Sequence, residues 1–165
     1  MDTSSLFNHE KHYLTLNNYL KHIYNKKVFK ISLNGNFSCP NRDGTISTQG
    51  CIFCSEKGSG DFAGDKNKCI KEQFKEIKEM MHLKWNDGYY IAYFQANTNT
   101  YGTLEKLKAT YSQIVTNNYL IDENVKILSI ATRPDCLNEE IVAYLSSINK
   151  IIPVWVELGF QTMHE

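Results

Sequence analysis

The chain has 165 residues, of which 42% are hydrophobic, and it carries 18 basic and 18 acidic residues. This length suits one domain with a real core, and the hydrophobic content argues against a disordered chain. The balanced charge gives no global attraction for nucleic acid, although lysines crowd the first 30 residues: Lys11, Lys21, Lys26, Lys27 and Lys30. A solvated helix face and a contact with a polyanion are both open interpretations of these lysines.

The N-terminus lacks the charged start and apolar core of a signal peptide, and no apolar run approaches the ~20 residues that cross a bilayer. The sequence therefore predicts a cytoplasmic protein without a membrane partner. In that reducing compartment the cysteines are expected to be thiols.

Apolar periodicity predicts a helix, then three strand–helix pairs, then a fourth strand. The predicted strands cover residues 28–34, 89–96, 125–131 and 154–160. The predicted helices cover about 7–25, about 67–83, the residues after an N-cap at Thr103, and those after an N-cap at Asn138. The last of these is expected to bury Ile141, Val142, Leu145 and Ile148. Such alternation is typical of an α/β fold with a parallel sheet.

Three cysteines follow the first predicted strand in the segment CPNRDGTISTQGCIFC: Cys39, Cys51 and Cys54. Grouped thiols in a reducing compartment indicate metal or redox chemistry. A closed zinc site and an ordinary iron–sulfur cluster both use four ligands, so three cysteines leave one metal position open for chemistry. The alternative is a structural zinc knuckle with His9 or His164 as the fourth ligand.

Polar segments leave the carboxyl ends of all four predicted strands. They are the cysteine loop, QANTNTY at 95–101, ATRPD at 131–135 and ELGFQT at 157–162. Ligands bind at this edge of parallel sheets, so the four segments are expected to meet at one site. Glu157 is a charge within an apolar strand, which favours a functional or partnered role. Arg133 has either a functional role or a structural one in pinning Asp135.

These segments resemble the YhcC/YtqA-type radical S-adenosylmethionine (SAM) proteins, which are relatives of the elongator-type radical SAM enzymes. The resemblance rests on KISLNGNFSCPNRDGTISTQGCIFC, YFQANTNTY, IATRPD and VELGFQTMHE, in that order. The resemblance runs from about Lys27 to the last residue and implies the N-terminal part of a radical SAM core at 27–165. A predicted N-terminal helical segment at 1–26 precedes that core. That core is a partial (βα) barrel of parallel strands. Such barrels have six strands, so the chain is expected to be a portion of a longer protein that ends after the fourth strand.

The resemblance also implies a 4Fe–4S cluster and SAM as cofactors. Cys39, Cys51 and Cys54 would each bind one iron, and the fourth iron would bind SAM, whose cleavage yields a 5′-deoxyadenosyl radical. Phe53 is expected near the adenine. The residues expected to contact SAM are Phe53, Gln95, Asn97, Thr98, Thr132, Arg133 and Glu157.

Kinship with elongator-type enzymes implies transfer RNA as substrate, with chemistry at a wobble uridine, and an electron donor such as flavodoxin or ferredoxin. Two alternatives stay open. One is radical chemistry on a small metabolite, and the other is a non-catalytic module that uses zinc or a cluster to organise a contact surface. Cys69 and Cys136 are interpreted as buried or incidental thiols.

Overall fold

The computed structural model describes residues 12–85, 87–115, 121 and 123–159. Its strands are β1 (Val28–Leu33), β2 (Tyr89–Phe94), β3 (Val125–Thr132) and β4 (Val154–Leu158). Its helices are α1 (Leu16–Tyr24), α2 (Ile70–His82), α3 (Leu104–Val115) and α4 (Glu139–Asn149). A short 3-10 helix follows β3 at Pro134–Cys136.

The four strands form one parallel sheet in the order β1-β2-β3-β4. The predicted α/β class and parallel sheet are therefore confirmed. All four carboxyl ends lie at the same edge because the strands are parallel. The register places Ser32 beside Tyr93, Tyr93 beside Ser129, and Ser129 beside Trp155, so polar and aromatic side chains share one row across the sheet.

Side chains alternate between the two faces of the sheet, and both faces are covered near the middle strands. The larger core packs α2, α3 and α4 against one face, with Phe74, Tyr111 and Leu128 fully buried. We call the opposite side the inner face. There Leu20 of α1 packs against Ile91 of β2 and its neighbour Ile127 of β3. This double coverage explains why β2 reads as a nearly continuous apolar run.

The predicted helix caps are confirmed by hydrogen bonds to side-chain oxygens. The Ile141 amide donates to Asn138 Oδ1 over 2.8 Å, and the Lys106 amide donates to Thr103 Oγ1 over 3.3 Å. The prediction that α4 buries Val142 is wrong, because this side chain is 51% exposed. Its neighbour Ile141 already points into the core, and consecutive helical residues do not share a face.

Several element ends differ from the predicted ones. The first helix begins at Leu16 after an N-cap at Thr15, while the earlier part of the predicted range, 7–11, lies outside the described residues. The α2 helix begins at Ile70, and β2 ends at Phe94. The β4 strand ends at Leu158, and residue 160 also lies outside the described residues.

Residues 34–69 contain neither helix nor strand, as predicted for the cysteine loop. The loop is anchored by the buried Phe37, whose ring stacks on Tyr111, and by the Gly64 amide, which donates to Ser32 O. Within the described part of the chain, no helix is long and apolar enough to cross a bilayer.

Candidate active site at the carboxyl edge of the sheet

Residues from all four strand-end segments line a cavity of about 340 Å³, and the fourth segment is described only at 157–159. This volume lies at the lower end of the range of small-molecule sites. All of the site residues predicted from the sequence line the cavity: Cys39, Cys51, Phe53, Cys54, Gln95, Asn97, Thr98, Thr132, Arg133 and Glu157. A second cavity, of about 800 Å³, lies along the same loop and shares Arg42 and Asn97 with the first.

The three cysteines are partly buried free thiols, and two of their sulfurs accept hydrogen bonds. Asn41 Nδ2 donates to Cys51 Sγ over 3.0 Å, and Ser59 Oγ donates to Cys54 Sγ over 3.4 Å. Donors aimed at sulfur stabilise negative charge there, which suits a thiolate ligand.

Among the residues that the structure describes, no group of three His, Cys, Asp or Glu side chains converges where one metal ion would fit. The histidines of the zinc alternative, His9 and His164, lie outside these residues. The ligands of a 4Fe–4S cluster do not converge on one point, because each thiolate binds a different iron and the thiolates surround the cluster. Three cysteines that line one cavity have the arrangement that such a cluster needs.

The segment after β2 is bonded to the cysteine loop. Asn97 has a positive φ of 61°, its amide donates to Gly58 O over 2.9 Å, and its Nδ2 donates to Phe37 O over 3.1 Å. The amide of Thr98, a buried residue, donates to Ser38 O. Asn97 and Thr98 therefore fix the loop to the sheet, while Gln95 lines the cavity from the end of β2.

The end of β3 presents Thr132, and Arg133 follows directly after it. Thr132 Oγ1 shares a 2.6 Å hydrogen bond with Thr100 Oγ1 beneath the cavity. The Arg133 guanidinium donates twice to Asp135, over 2.8 and 2.7 Å, which confirms the predicted pinning contact. This bidentate contact lowers the pKa of Asp135 and raises that of Arg133.

Glu157 of β4 is a partnered charge on the inner face. Its Oε1 accepts hydrogen bonds from Lys30 Nζ, over 2.8 Å, and from Ser129 Oγ, over 2.7 Å. The Lys30 ammonium also lies 4.0 Å from the centre of the Tyr93 ring. Burial and the charge of Glu157 raise the pKa of Tyr93 to about 12, so its hydroxyl stays protonated near neutral pH.

Sequence reasoning missed four residues at this site: Asn41, Arg42, Ser59 and Tyr93. Tyr93 lies in the same strand-end block as Gln95, so strand alternation was the signal that could have found it. Asn41 and Arg42 lie within the cysteine motif, but their contacts cross a long irregular loop. No local pattern predicts such contacts.

Comparison with known proteins places the chain among bacterial and archaeal relatives. It is 51% identical over 158 residues to the Bacillus subtilis protein named YtqA, a match that covers 96% of this chain and 48% of the relative. It is 38% identical over 143 residues to Escherichia coli YhcC, covering 86% of the chain and 43% of the relative. The chain is a homologue of the YtqA and YhcC proteins.

The relationship to YtqA and YhcC extends to a Methanocaldococcus jannaschii protein that is 35% identical over 151 residues, covering 89% of the chain and 44% of that relative. The chain thus spans about half the length of the curated relatives it matches. No family model matches the chain, and no solved structure matches it. The names of YtqA and YhcC state no activity, so the chemistry is argued from the site.

Proposed function

We propose that this chain forms part of a radical SAM enzyme in which Cys39, Cys51 and Cys54 hold a 4Fe–4S cluster with one open iron. The observation that carries the proposal is that three free thiols line one cavity with polar segments from the ends of all four strands. A structural zinc knuckle does not need polar segments from several strand ends around it. A cofactor site at the carboxyl edge of a parallel sheet is built from such segments.

When bound, the cluster with SAM supplies one-electron cleavage of the sulfonium to methionine and a 5′-deoxyadenosyl radical that takes hydrogen from the substrate. The residues of this chain bind, orient and shield. Phe53, which is 58% exposed at the cavity, offers a ring for the adenine. Gln95 offers an amide to the amino group of SAM.

The carboxyl-terminal ends of β3 and β4, with Arg133 directly after β3, supply the remaining SAM contacts. In the structure the guanidinium of Arg133 already binds Asp135, and the carboxylate of Glu157 already binds Lys30 and Ser129. These partners hold the two side chains in place at the cavity wall. A SAM carboxylate or ribose hydroxyl would therefore meet oriented groups and lose little binding free energy to ordering them.

The shape of the sheet supports a partial barrel of the radical SAM type. Lys30 lies on β1 and Glu157 on β4, so three strand spacings separate them, roughly 14 Å in a flat sheet. Their side chains nevertheless meet at 2.8 Å on the inner face. This contact joins the first and last strands of the sheet across its inner face, as is expected where strands curl toward one side to form a barrel.

We further propose transfer RNA as the substrate, with reaction at a wobble uridine, and flavodoxin or ferredoxin as the one-electron donor. The exposed lysines Lys21 and Lys27 support an RNA contact, because lysine ammonium groups neutralise phosphates. Such binding falls steeply with salt. Affinity for tRNA that does not fall between low and physiological salt would count against RNA and favour a small metabolite.

An anaerobic count of iron, sulfide and zinc in the reconstituted chain tests the proposal, followed by electron paramagnetic resonance of the reduced protein with and without SAM. We expect about four irons and four sulfides per chain and a spectrum that SAM changes. The Cys39→Ala variant should lose the cluster, whereas Cys69→Ala should keep it, because Cys69 is exposed and lies at the N-cap of α2.

One zinc per chain, without sulfide and without a response to SAM, would overturn the proposal in favour of a non-catalytic module. Equal iron loss in Cys39→Ala and Cys69→Ala would also contradict it, since the cavity thiols would then have no special role.

A further inference from the structure

Two adjacent residues of the cysteine loop, Asn41 and Arg42, bond to a later part of the same loop. We call residues 39–42 the first arm and residues 50–56 the second arm. Gly50 N donates to Asn41 O over 2.7 Å, and Asn41 Nδ2 donates to Cys51 Sγ over 3.0 Å. The main chain and the side chain of Asn41 therefore both contact the second arm.

The Arg42 side chain contacts residues of the second arm that lie beyond those contacted by Asn41. Its Nη1 donates to Glu56 O over 2.8 Å, and its Nη2 donates to Ser55 O. The forked guanidinium thus spans two consecutive carbonyls directly after Cys54. A lysine ammonium has no such planar fork.

Gly50 packs against the same guanidinium. Its φ is +73°, and a Cβ atom built there would lie 3.3 Å from Arg42 Cζ, Nε and Nη2. The positive φ favours glycine, and an added Cβ would make the guanidinium move by a few tenths of an ångström. Gly50 therefore continues the contact between Arg42 and the second arm up to the residue before Cys51.

Arg133 provides a contrast within the same cavity. Both of its carboxylate contacts go to Asp135, two residues away, so they organise one turn. The contacts of Arg42 join segments that are 13 and 14 residues apart in the chain. Closing a flexible loop of this length costs conformational entropy, and contacts between its ends offset part of that cost before any ligand binds.

We propose that the Asn41–Arg42 pair is the positioning element of the three-cysteine site. It holds the second arm against the first, so that Cys51 and Cys54 face the same cavity as Cys39 before a metal or cluster binds. The Asn41 side chain also donates to the sulfur of Cys51 and stabilises negative charge there. This inference rests on the proposed function for the identity of the group that is bound, and on the loop geometry alone for the positioning.

Titration of the metal-free full chain with Co²⁺, followed by the sulfur-to-cobalt charge-transfer absorption, tests the positioning. The Arg42→Met variant should bind Co²⁺ about 10–100-fold more weakly, as is typical when a residue that orients metal ligands is lost. The Arg42→Lys variant keeps the charge without the fork and should also be weakened. The control is Lys57→Met, which removes a cation from an exposed position of the same loop.

Hydrogen exchange of the metal-free chain provides a readout that needs no metal. We expect the amides of residues 50–56 to exchange faster in Arg42→Met than in the wild type, and Lys57→Met to match the wild type. Co²⁺ affinity of Arg42→Met within twofold of the wild-type value would overturn the proposal. If the wild type takes up no Co²⁺, unchanged exchange in Arg42→Met would overturn it, and faster exchange would support it.

The reduction potential of the reconstituted cluster shows whether the hydrogen bond from Asn41 to Cys51 affects the cluster electronically or only holds the loop in place. A hydrogen bond to a ligand sulfur stabilises the reduced cluster, so the Asn41→Leu variant should show a lower midpoint potential at equal iron content. An unchanged potential would overturn this part. A wild type that binds Co²⁺ but assembles no cluster would refute the proposed function, while weaker Co²⁺ binding by Arg42→Met would still support the positioning role.

Discussion

Glu157 shows how opposing effects on a single carboxyl group are resolved. Burial by itself raises the pKa of Glu157, but the hydrogen bonds from Lys30 and Ser129 and the charge of Lys30 outweigh burial, so the pKa lies below its ordinary value. A carboxyl group with a lowered folded-state pKa stabilises the fold above its unfolded pKa of about 4.3. That contribution is lost as the pH falls through the folded-state value.

The Glu157→Gln substitution tests this charge at the residue scale. We expect a loss of about 0.5–1 kcal/mol in the free energy of unfolding at pH 7, a modest value because both partners are about one-third exposed. At pH 3, below the unfolded pKa of about 4.3, part of this charge's contribution is already lost, so the difference between variant and wild type should shrink. Urea unfolding at both pH values measures it.

Glu79→Gln serves as the control, since Glu79 faces Lys75 at 3.9 Å on the exposed surface of α2. It should change stability less than Glu157→Gln at pH 7. A Glu157→Gln effect of the same size at pH 3 and pH 7 would show that the charge does not stabilise the fold.

At the scale of elements, the cysteine loop is joined to the segment after β2 by one close approach. Gly58 has a φ of +61°, and a Cβ atom there would lie 1.9 Å from Asn97 Oδ1. Asn97 also has a positive φ and donates its amide to Gly58 O. Two irregular segments thus approach each other without space for a methyl group.

The Gly58→Ala substitution should therefore separate these segments. We expect a loss of about 1–3 kcal/mol in the free energy of unfolding, from steric overlap and backbone strain together. Gly102→Ala is the matched control, because the nearest atoms to its added Cβ lie at ordinary contact distances of 3.5–3.8 Å. That variant should stay within about 0.5 kcal/mol of the wild type.

Thermal or urea unfolding under identical conditions compares the free energies of unfolding of the Gly58→Ala and Gly102→Ala variants. Equal stabilities would mean that the Gly58–Asn97 approach does not constrain the loop in solution.

At the scale of the whole molecule, β4 lies at an edge of the sheet in the described part of the chain. Val156 and Leu158 of this strand are 39% and 51% exposed. Unpaired backbone groups beside exposed apolar side chains favour pairing with another chain. The chain is therefore expected to self-associate through β4.

The Val156→Lys substitution should lower this self-association, because a charge on an edge strand opposes strand pairing. Sedimentation velocity over a range of protein concentrations measures the change. Val142→Lys provides the matched control, since Val142 is a 51% exposed valine on α4, away from the sheet edge. If both variants reduce association equally, net charge rather than the edge of β4 is responsible.

The order of the elements was predictable from the sequence because apolar periodicity follows from which side chains face the core. The N-cap at Asn138 and the buried run of β2 were predictable for the same local reasons. Val142 was mispredicted because periodicity identifies the apolar face of a helix, while neighbouring elements decide how much of that face is covered. The exact ends of α2 and β2 also depend on such packing.

The sequence by itself determined the α/β class, the parallel sheet and ten of the residues that line the cavity. Strand-end segments follow chain order, and parallel strands place their carboxyl ends at one edge. Only the tertiary structure decided how these residues are held: Glu157 by Lys30 across the sheet, Asn97 by Gly58, and the second arm of the cysteine loop by Asn41 and Arg42. These contacts join residues far apart in the chain, so they depend on the packing of several elements, which no local pattern encodes.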